Sequence, residues 1–550
     1  MKKKALAVAL SLLLAMSTVG GLAGCNTTED SEYYLEISVT DFGYGTEWVH
    51  RVKDLFVQED WVQEKYPGLE VEIKPNYIRS EPSDKISGVE VNTVDLFIGA
   101  SDWSQFNKTA RVSGETIRLY EDLSPLMTMT VPGENVTVAE KLNAAVLDEF
   151  KYYEDVGAVS DEEGAYSVYC YPTVSSIGGI VYNTRILSEI GQRVPLTTDQ
   201  FSDVCDAVVA ANLTAATGNK VVPLLFTTKI NYWTSITFYY WWAQYEGVPE
   251  YENFFNGIVG DEMSNRIFEQ LGRLRAIEVM EDLLGYRDGR LSPNVSANVN
   301  TLEFVQAQVR FAAGEGVFQV NGDWFENETT EDGGEDDLDF SDLAMMRFPV
   351  ISSIVEKLEY RTENDDYMPD DMLAAVVEAV DNGATSYDGV SEADFARIAE
   401  ARNLQSVSNE NVAMIPSYAT AKEVAKDFLL FLATDKATVA IADGTGNFTS
   451  SFLYDFETQS PEMYETFSPF RKSVIEIQSN RTVLPYYQGR PLVYLGGLRA
   501  LSNENQKLEI LFTAQNANDR RTAQQIYQNE IDYWTTARWQ NVLINAGYQV

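Results

Sequence analysis

The stretch GEGVFQVNGDWFENE, residues 314–328, joins a short apolar run to a turn and two aromatic residues. The apolar run is typical of a strand that enters a core, and Asn321-Gly322 is a dipeptide typical of turns. Trp324 and Phe325 follow directly, beside Asp323. The local pattern alone predicts that Trp324 fills the core, yet an aromatic residue beside an acid at a strand end also suits the floor of a binding site.

Upstream of this stretch, segments with the periodicity of strands and helices alternate along the chain. The first four, in the order strand, helix, strand, strand, are residues 35–39, 48–64, 69–73 and 94–99. This order indicates a βαβ unit and therefore a parallel sheet. The pattern begins again near residue 170, which predicts a second α/β lobe. A Thr-x-x-Glu capping box that starts at Thr420 predicts a helix there.

The N-terminal segment has the pattern of an export signal. Three lysines precede an apolar run, and Leu22-Ala23-Gly24-Cys25 follows. We expect residues 1–24 to be a signal peptide that is removed on export. The stretch Leu22-Ala23-Gly24-Cys25 resembles a bacterial lipobox. The resemblance implies that Cys25 becomes the first residue of the mature protein and carries a lipid, and residues 25–32 then form the lipid-anchored Cys and a polar tether. No later segment approaches the roughly 20 apolar residues of a helical span, so the expected location is extracytoplasmic, anchored to the cell membrane.

The composition restricts the classes of partner. The chain has 550 residues, enough for two or three lobes. It carries 41 Lys and Arg against 83 Asp and Glu, a formal charge of −42. Such a surface repels phosphates, so nucleic acid is not an expected partner. Besides Cys25, the two remaining cysteines, Cys170 and Cys205, lie in apolar-leaning stretches and are expected to be small buried side chains, with a disulfide as the alternative.

Several kinds of chemistry lack their usual motifs. The chain has one histidine, His50, with no second His or Cys nearby, so neither a zinc site nor any other metal site is expected. It contains no Gly-x-Ser-x-Gly elbow and no Gly-x-x-x-x-Gly-Lys phosphate loop, and no cofactor is expected. Carboxylates are abundant, so their number alone leaves open a glycosidase that uses two acids.

Aromatic residues are concentrated in the second predicted lobe, between Asn231 and Tyr245. Their density exceeds what a core packs easily, because each indole N–H and phenol O–H requires a partner. The first of them, Tyr232 and Trp233, come just after a short apolar strand. In open α/β sheets, ligands bind at such strand ends. Flat aromatic faces with carboxylates and amides around them suit sugars, and further acid and aromatic residues follow predicted strands at Asp41, Asp102, Trp103, Asp323 and Trp324.

Four segments in order resemble the extracellular solute-binding proteins of ABC importers, the family to which maltose-binding protein belongs. They are VDLFIGASDWSQF (94–106), GGIVYNTRILSEIG (178–191), GEGVFQVNGDW (314–324) and AKDFLLFLATDKATVAIADGTGN (425–447). The resemblance implies a two-lobed α/β fold, periplasmic-binding-protein-like and of type II, with a multi-strand hinge. We expect lobe 1 at 33–168 and 347–433, lobe 2 at 169–346 and 434–550, and a crossing at Arg347-Phe348-Pro349. The chain is longer than is usual for the family, with expected insertions at 150–165, 328–342 and 360–410.

The same resemblance assigns ligand-binding roles. Trp324 matches the tryptophan that stacks on sugar, Tyr232 or Trp233 matches an aromatic after the second-lobe strand, and Asp102 matches an acid that binds hydroxyls. Tyr487 lies in a segment that resembles a loop closing the cleft. Together with the other acid and aromatic strand-end loops, the resemblance favours the cleft for Trp324, and Phe325 is then expected to face the core.

The expected function is that of a monomeric receptor without enzymatic activity. It would bind an oligosaccharide between its lobes and deliver it to the membrane permease of an ABC importer. Two alternatives remain at this stage: a receptor for another solute such as a peptide, and a lipid-anchored carbohydrate-active enzyme with two carboxylates. A peptide carboxylate would need a cation such as Arg185 or Arg490, although an ion pair with a structural role is favoured for each.

Overall fold

The computed structural model describes residues 33–41, 43–142, 144–154, 166–174, 177–333, 339–406, 411–445, 451–479 and 482–549. The expected signal peptide, Cys25 and the tether lie outside these ranges, as does most of the expected insertion at 150–165. Within the described ranges, no helix combines the length and the apolar character that a membrane crossing requires.

The described chain is a mixed α/β protein. Its strands are β1 (Tyr34–Thr40), β2 (Glu70–Asn76), β3 (Leu96–Gly99), β4 (Thr109–Val112), β5 (Glu115–Arg118), β6 (Tyr171–Pro172), β7 (Gly178–Asn183), β8 (Val222–Leu224), β9 (Ile258–Val259), β10 (Glu262–Met263), β11 (Gly316–Gly322), β12 (Leu343–Met346), β13 (Leu404–Ser406), β14 (Val412–Met414) and β15 (Thr482–Leu484). The α-helices of six residues or more are Glu47–Phe56, Asp60–Lys65, Glu81–Ser87, Ala144–Phe150, Thr184–Glu189, Thr198–Ala211, Tyr239–Glu246, Val248–Asn256, Leu271–Leu284, Phe304–Ala312, Phe325–Gly333, Asp370–Asp381, Glu392–Asn403, Lys422–Leu432, Asp435–Thr445, Pro461–Thr466, Pro469–Ser479, Leu508–Thr513, Ala523–Tyr533 and Thr536–Asn545. Shorter α-helices are Ser124–Met127, Val138–Lys141, Phe456–Gln459 and Pro491–Tyr494.

The first lobe is built on a sheet in the order β2-β1-β3-β14-β6. Strand β1 pairs in parallel with both β2 and β3, so the predicted βαβ unit is confirmed. Leu35, Ile37 and Val39 are buried along β1 because alternate side chains of a strand point to one face. Glu36 and Ser38, on the other face, are buried as well, so both faces of this strand are covered.

The second lobe is built on a sheet in the order β12-β7-β11-β8. Strand β11, the opening stretch of the sequence, pairs antiparallel with β7 and parallel with β8. Every residue of β11 is buried, because helices and the C-terminal segments cover both faces of this sheet. Asp323, directly after β11, accepts a hydrogen bond from Tyr44 of the first lobe, so the strand ends where the two lobes meet.

Two predicted helices begin or end at other residues than expected. The predicted helix at 48–64 is two helices, Glu47–Phe56 and Asp60–Lys65. The predicted capping box at Thr420 is not formed, and the helix begins at Lys422. The Thr420 hydroxyl instead donates a hydrogen bond to Asp95 at 3.2 Å, so a contact within the tertiary structure replaces the local cap.

The division of the chain between the lobes differs from the expected one. Arg347-Phe348-Pro349 is not a crossing, because the Phe348 ring stacks on Tyr240 with centroids 4.0 Å apart and Trp241 Nε1 donates to the Pro349 carbonyl. The helices Asp370–Asp381 and Glu392–Asn403 also pack into the core of the second sheet. The chain crosses between β6 and β7, returns between β13 and β14, and crosses again after Phe452.

Candidate ligand-binding cleft

The cleft between the lobes contains two adjoining chambers. The Trp324 chamber has a volume of about 680 Å³, and its wall includes Gly178, Ser406 and Asn411, which flank two of the crossings in sequence. The Asp102 chamber has a volume of about 590 Å³ and lies between the loop after β3 and the C-terminal segment 486–506. Both volumes fall in the roughly 300–1,000 Å³ range of small-molecule sites. The side chains that line both chambers are Asn231, Ser235, Tyr239 and Tyr486.

Trp324 lies in the cleft. Its half-buried ring meets the ring of Tyr232 edge to face, with centroids 5.9 Å apart, and Tyr232 meets Phe304 at 5.5 Å. Gly322 makes this position possible, since a Cβ atom there would overlap the Trp324 ring. The three aromatic side chains form one wall of the Trp324 chamber.

Phe325 faces away from the cleft, and the prediction that it packs in the core is confirmed. Its side chain is fully buried and makes edge contacts with Phe311, Phe340 and Phe470. The two adjacent aromatics therefore have opposite roles: Trp324 faces the chamber and Phe325 holds the start of the next helix on the core.

The aromatic tract contains a π-helical turn at Trp233–Phe238. Some side chains in and beside this turn face the cleft, and others pack in the core. Tyr232, Ser235 and Tyr239 line the Trp324 chamber. Trp233 is buried in the second-lobe core, with its ring 5.6 Å from that of Phe226, and is not a cleft residue. Such turns widen the helix locally and are frequent at functional sites. Of the two residues expected at this place, Tyr232 is the one in the cleft.

Asp102 and Trp103 lie in the wall of the Asp102 chamber. Asp102 is exposed and caps a short 3₁₀ turn, where its carboxylate accepts hydrogen bonds from the Ser104 amide at 3.1 Å and from Gln105 Nε2 at 2.9 Å. The Trp103 ring is largely buried and stacks on Tyr152, with centroids 6.5 Å apart. These two residues are therefore held by the first lobe, away from Trp324.

Asp323 joins the lobes. It is fully buried, and its Oδ1 accepts a hydrogen bond from the Tyr44 hydroxyl at 2.6 Å. Nearby, Asn327 Nδ2 donates to the Gly43 carbonyl at 2.8 Å. Asp323 is thus a contact between the lobes rather than part of a chamber wall. Asp41 lines neither chamber, and its amide donates to the Asn76 carbonyl at 2.7 Å, which extends the β1–β2 pairing.

Tyr486 lies in the cleft, and its neighbour Tyr487 does not. Tyr487 has a φ of 50° and its ring is buried against Phe255, with centroids 5.3 Å apart. The Tyr486 ring meets Tyr239 at 5.3 Å and lines both chambers. The expected cleft aromatic of this segment is therefore displaced by one residue, because the left-handed backbone at Tyr487 turns that side chain into the core.

Sequence reasoning missed Arg79, Asn231, Tyr239, Glu328 and Tyr486, which all line the Trp324 chamber. Tyr239 and Asn231 belong to the aromatic tract that the sequence singles out. The pattern of that tract does not show which of its members face the cleft and which pack in the core. Arg79 follows β2, and the strand-end rule that singled out Asp41 and Asp102 applies to it equally.

The two arginines considered for a peptide carboxylate lie in ion pairs. Arg185 is bound to Asp342 at 2.7 Å, and Arg490 is bound to Glu252 at 2.7 Å. Neither lines either chamber. Cys170 and Cys205 are free and buried, and burial raises the pKa of both thiols.

Each of the two chambers has one carboxylate in the part of its wall that the structure describes. Among the described residues, Glu328 is the carboxylate of the Trp324 chamber and Asp102 that of the Asp102 chamber. A glycosidase needs two carboxylates on opposite sides of one glycosidic bond. In the described ranges, no cluster of three or more His, Cys, Asp or Glu side chains is arranged to hold a metal ion.

Solved structures show the same architecture. An ABC substrate-binding protein from Listeria monocytogenes in complex with cycloalternan superposes with a TM-score of 0.55 at 13% identity, covering 94% of this chain and 100% of that chain. A chitin oligosaccharide binding protein gives 0.54 at 13% identity over 92% and 99%. Maltose-bound MalE3 from T. maritima gives 0.52 at 14% identity over 91% and 98%. The chain shares their fold. The expected two-lobed, periplasmic-binding-protein-like class is confirmed. No family model and no curated protein matches the sequence.

Proposed function

We propose that this chain is the extracytoplasmic receptor of an ABC importer and that it binds an oligosaccharide between its lobes. The observation that carries the proposal is the aromatic wall of Trp324, Tyr232 and Phe304, with Arg79 and Glu328 lining the same chamber. Flat aromatic faces accept the C–H side of a sugar ring, while charged and amide groups bind its hydroxyls. Structures with this fold that contain cycloalternan and maltose support a sugar as the ligand.

The proposed binding step is closure of the lobes around the ligand. Gly178, Ser406 and Asn411, which flank two of the crossings in sequence, line the Trp324 chamber, so a hinge at these crossings is part of the proposal. A ligand that touches both lobes stabilises the closed state, in which Tyr44 donates to Asp323. The closed receptor then docks on the permease. A lipid on Cys25, part of the same proposal, keeps the receptor at the membrane.

A thermal-shift screen with monosaccharides, oligosaccharides and short peptides tests the proposal. A ligand at 100 times its dissociation constant stabilises the protein by about 2.7 kcal/mol. We expect an oligosaccharide to raise the melting temperature of the wild type and not of Trp324→Ala. Trp61→Ala is the matched control, because Trp61 is a half-buried tryptophan packed on Phe56 in the first lobe. Stabilisation by peptides alone, or equal responses of wild type and Trp324→Ala to sugar, would contradict the proposal.

A further inference from the structure

The Asp102 chamber continues the cleft beyond the wall on which Trp324 lies. The boundary between the chambers is the pair Tyr239 and Tyr486, whose rings meet at 82°. The Tyr486 hydroxyl donates to the Ser235 carbonyl at 3.3 Å, which holds this ring against the π-helical turn. Both rings face both chambers, so a ligand that passes over them contacts each chamber in turn.

The lining of the Asp102 chamber is suited to hydroxyl-rich ligands. Asp102, Gln488 and Gln506 provide acceptors and donors, and Trp103 and Tyr494 provide apolar faces. Two buried donor atoms in this wall, Trp103 Nε1 and Ser101 Oγ, have no hydrogen-bond partner among the described residues. Both atoms are screened from solvent, so they lie behind the chamber surface, and the polar side chains of the wall that can meet a ligand are Asp102, Gln488 and Gln506.

The Asp102 chamber is also fixed in place by contacts between the lobes. The Tyr153 amide donates to the Gly489 carbonyl at 3.2 Å, and the Tyr494 hydroxyl donates to the Tyr153 carbonyl at 2.8 Å. The Tyr152 and Tyr494 rings pack with centroids 4.5 Å apart. Gly489 permits this approach, because a Cβ atom there would overlap the carbonyl of Lys151. A ligand would therefore find this chamber already assembled.

We infer that the Asp102 chamber is a second ligand site that holds the far end of an oligosaccharide whose other end stacks on Trp324. This inference rests on the proposed function and narrows its ligand class to chains long enough to occupy both chambers. Each chamber alone has the volume of a complete small-molecule site. Affinity is therefore expected to rise with chain length until both chambers are filled.

Calorimetric titration with malto-, xylo- and chito-oligosaccharides, each from disaccharide to heptasaccharide, tests the inference. In the best-bound series, we expect the longer members to bind at least roughly tenfold more tightly than the disaccharide, because their added sugar rings make further hydrogen bonds and ring contacts. Two variants report on the chamber itself. Ser104→Trp fills the Asp102 chamber from an exposed position, and Gln506→Ala removes one polar group from an exposed side chain.

Both variants are expected to weaken binding of the long members and to leave disaccharide affinity within about twofold, since both substitutions lie outside the Trp324 chamber. Equal losses at every length, or no loss at any length, would overturn the inference, as would a wild type whose affinity does not depend on length. In these three cases a sugar still binds and the proposed function stands. If the wild type binds no sugar of any series, the proposed function and the inference both fail.

Discussion

The carboxyl group of Glu149, in the first lobe, holds the backbone of Tyr486, in the second. Glu149 Oε2 accepts a hydrogen bond from the Tyr486 amide at 2.7 Å and one from the Tyr487 amide at 3.1 Å. Burial raises the pKa of Glu149 to about 8, although the two amides and the charge of Arg490 act in the opposite direction. Glu149 therefore fixes the aromatic boundary between the two chambers from the opposite lobe.

The raised pKa of Glu149 predicts a stability effect with a definite sign. Between its ordinary value of 4.5 and about 8, the folded protein keeps a proton on Glu149 that the unfolded chain has lost. The contribution of this group to the free energy of unfolding is therefore largest below 4.5 and decreases as the pH rises towards 8. Urea unfolding of the wild type and of Glu149→Gln across this range should show the wild type losing stability relative to the variant. Glu363→Gln, on an exposed loop, should show no such trend.

Removal of the closing hydrogen bond is expected to weaken ligand binding without unfolding the protein. Tyr44→Phe removes the hydroxyl that donates to Asp323, and a bond to a charged group contributes about 1.5–3 kcal/mol. We expect roughly tenfold weaker binding by calorimetry and a larger radius of gyration by X-ray scattering in the presence of ligand. Tyr367→Phe, on an exposed side chain, serves as the control. Unchanged affinity in Tyr44→Phe would show that this contact does not contribute to closure.

The close approach at Gly322 predicts that a single methyl group disturbs the site. Gly322→Ala places a Cβ atom in the volume of the Trp324 ring, so the ring must move. Overpacking of this kind costs about 1–3 kcal/mol. Ligand affinity should fall, and the tryptophan fluorescence should change. Gly383→Ala also adds a methyl group, at a φ of 76° but in open space, and should leave affinity as it is.

The two neighbouring positions Tyr232 and Trp233 are expected to respond differently to alanine. Trp233→Ala empties a core site that is 2% exposed and should cost about 3–5 kcal/mol in thermal or urea unfolding. Tyr232→Ala should cost less stability and lose ligand affinity. The reverse pattern would show that Trp233, not Tyr232, binds the ligand.

The lipid anchor is tested by Cys25→Ser. Because the lipid is expected on the Cys25 sulfur, this variant should accumulate as an unlipidated precursor in cells labelled with radioactive palmitate. Labelled mature protein from the variant would contradict the assignment. A Cys205→Ser variant is the control, since Cys205 is buried in the second lobe.

Much of the fold follows from local periodicity. The parallel pairing of β1, β2 and β3 follows from the βαβ order, and the opposite roles of Trp324 and Phe325 agree with their expected alternation. Periodicity does not predict which side chain faces the cleft where the backbone departs from regular helix or strand geometry. The π-helical turn after Tyr232 and the left-handed conformation of Tyr487 each changed which aromatic faces the cleft.

The division between the lobes could not be predicted for a different reason. Arg347-Phe348-Pro349 has the local character of a connection, but stacking of Phe348 on Tyr240 keeps the chain in the second lobe. Such a contact joins residues more than one hundred positions apart, and periodicity contains no information about it. The same holds for the hydrogen bond of Thr420 to Asp95, which replaced the expected cap.

The contacts at the two ends of the cleft differ in kind. At the Asp102 end the lobes share a main-chain hydrogen bond and packed tyrosines, and at the Trp324 end polar side chains join Tyr44 to Asp323 and Asn327 to Gly43. A side-chain hydrogen bond depends on one donor and one acceptor, whereas packed rings hold the lobes through buried apolar area. When the lobes separate, the contacts at the Tyr494 end are therefore expected to persist longer than those at the Trp324 end. A long ligand that lies across both chambers would then become exposed to solvent first at the end nearest Trp324.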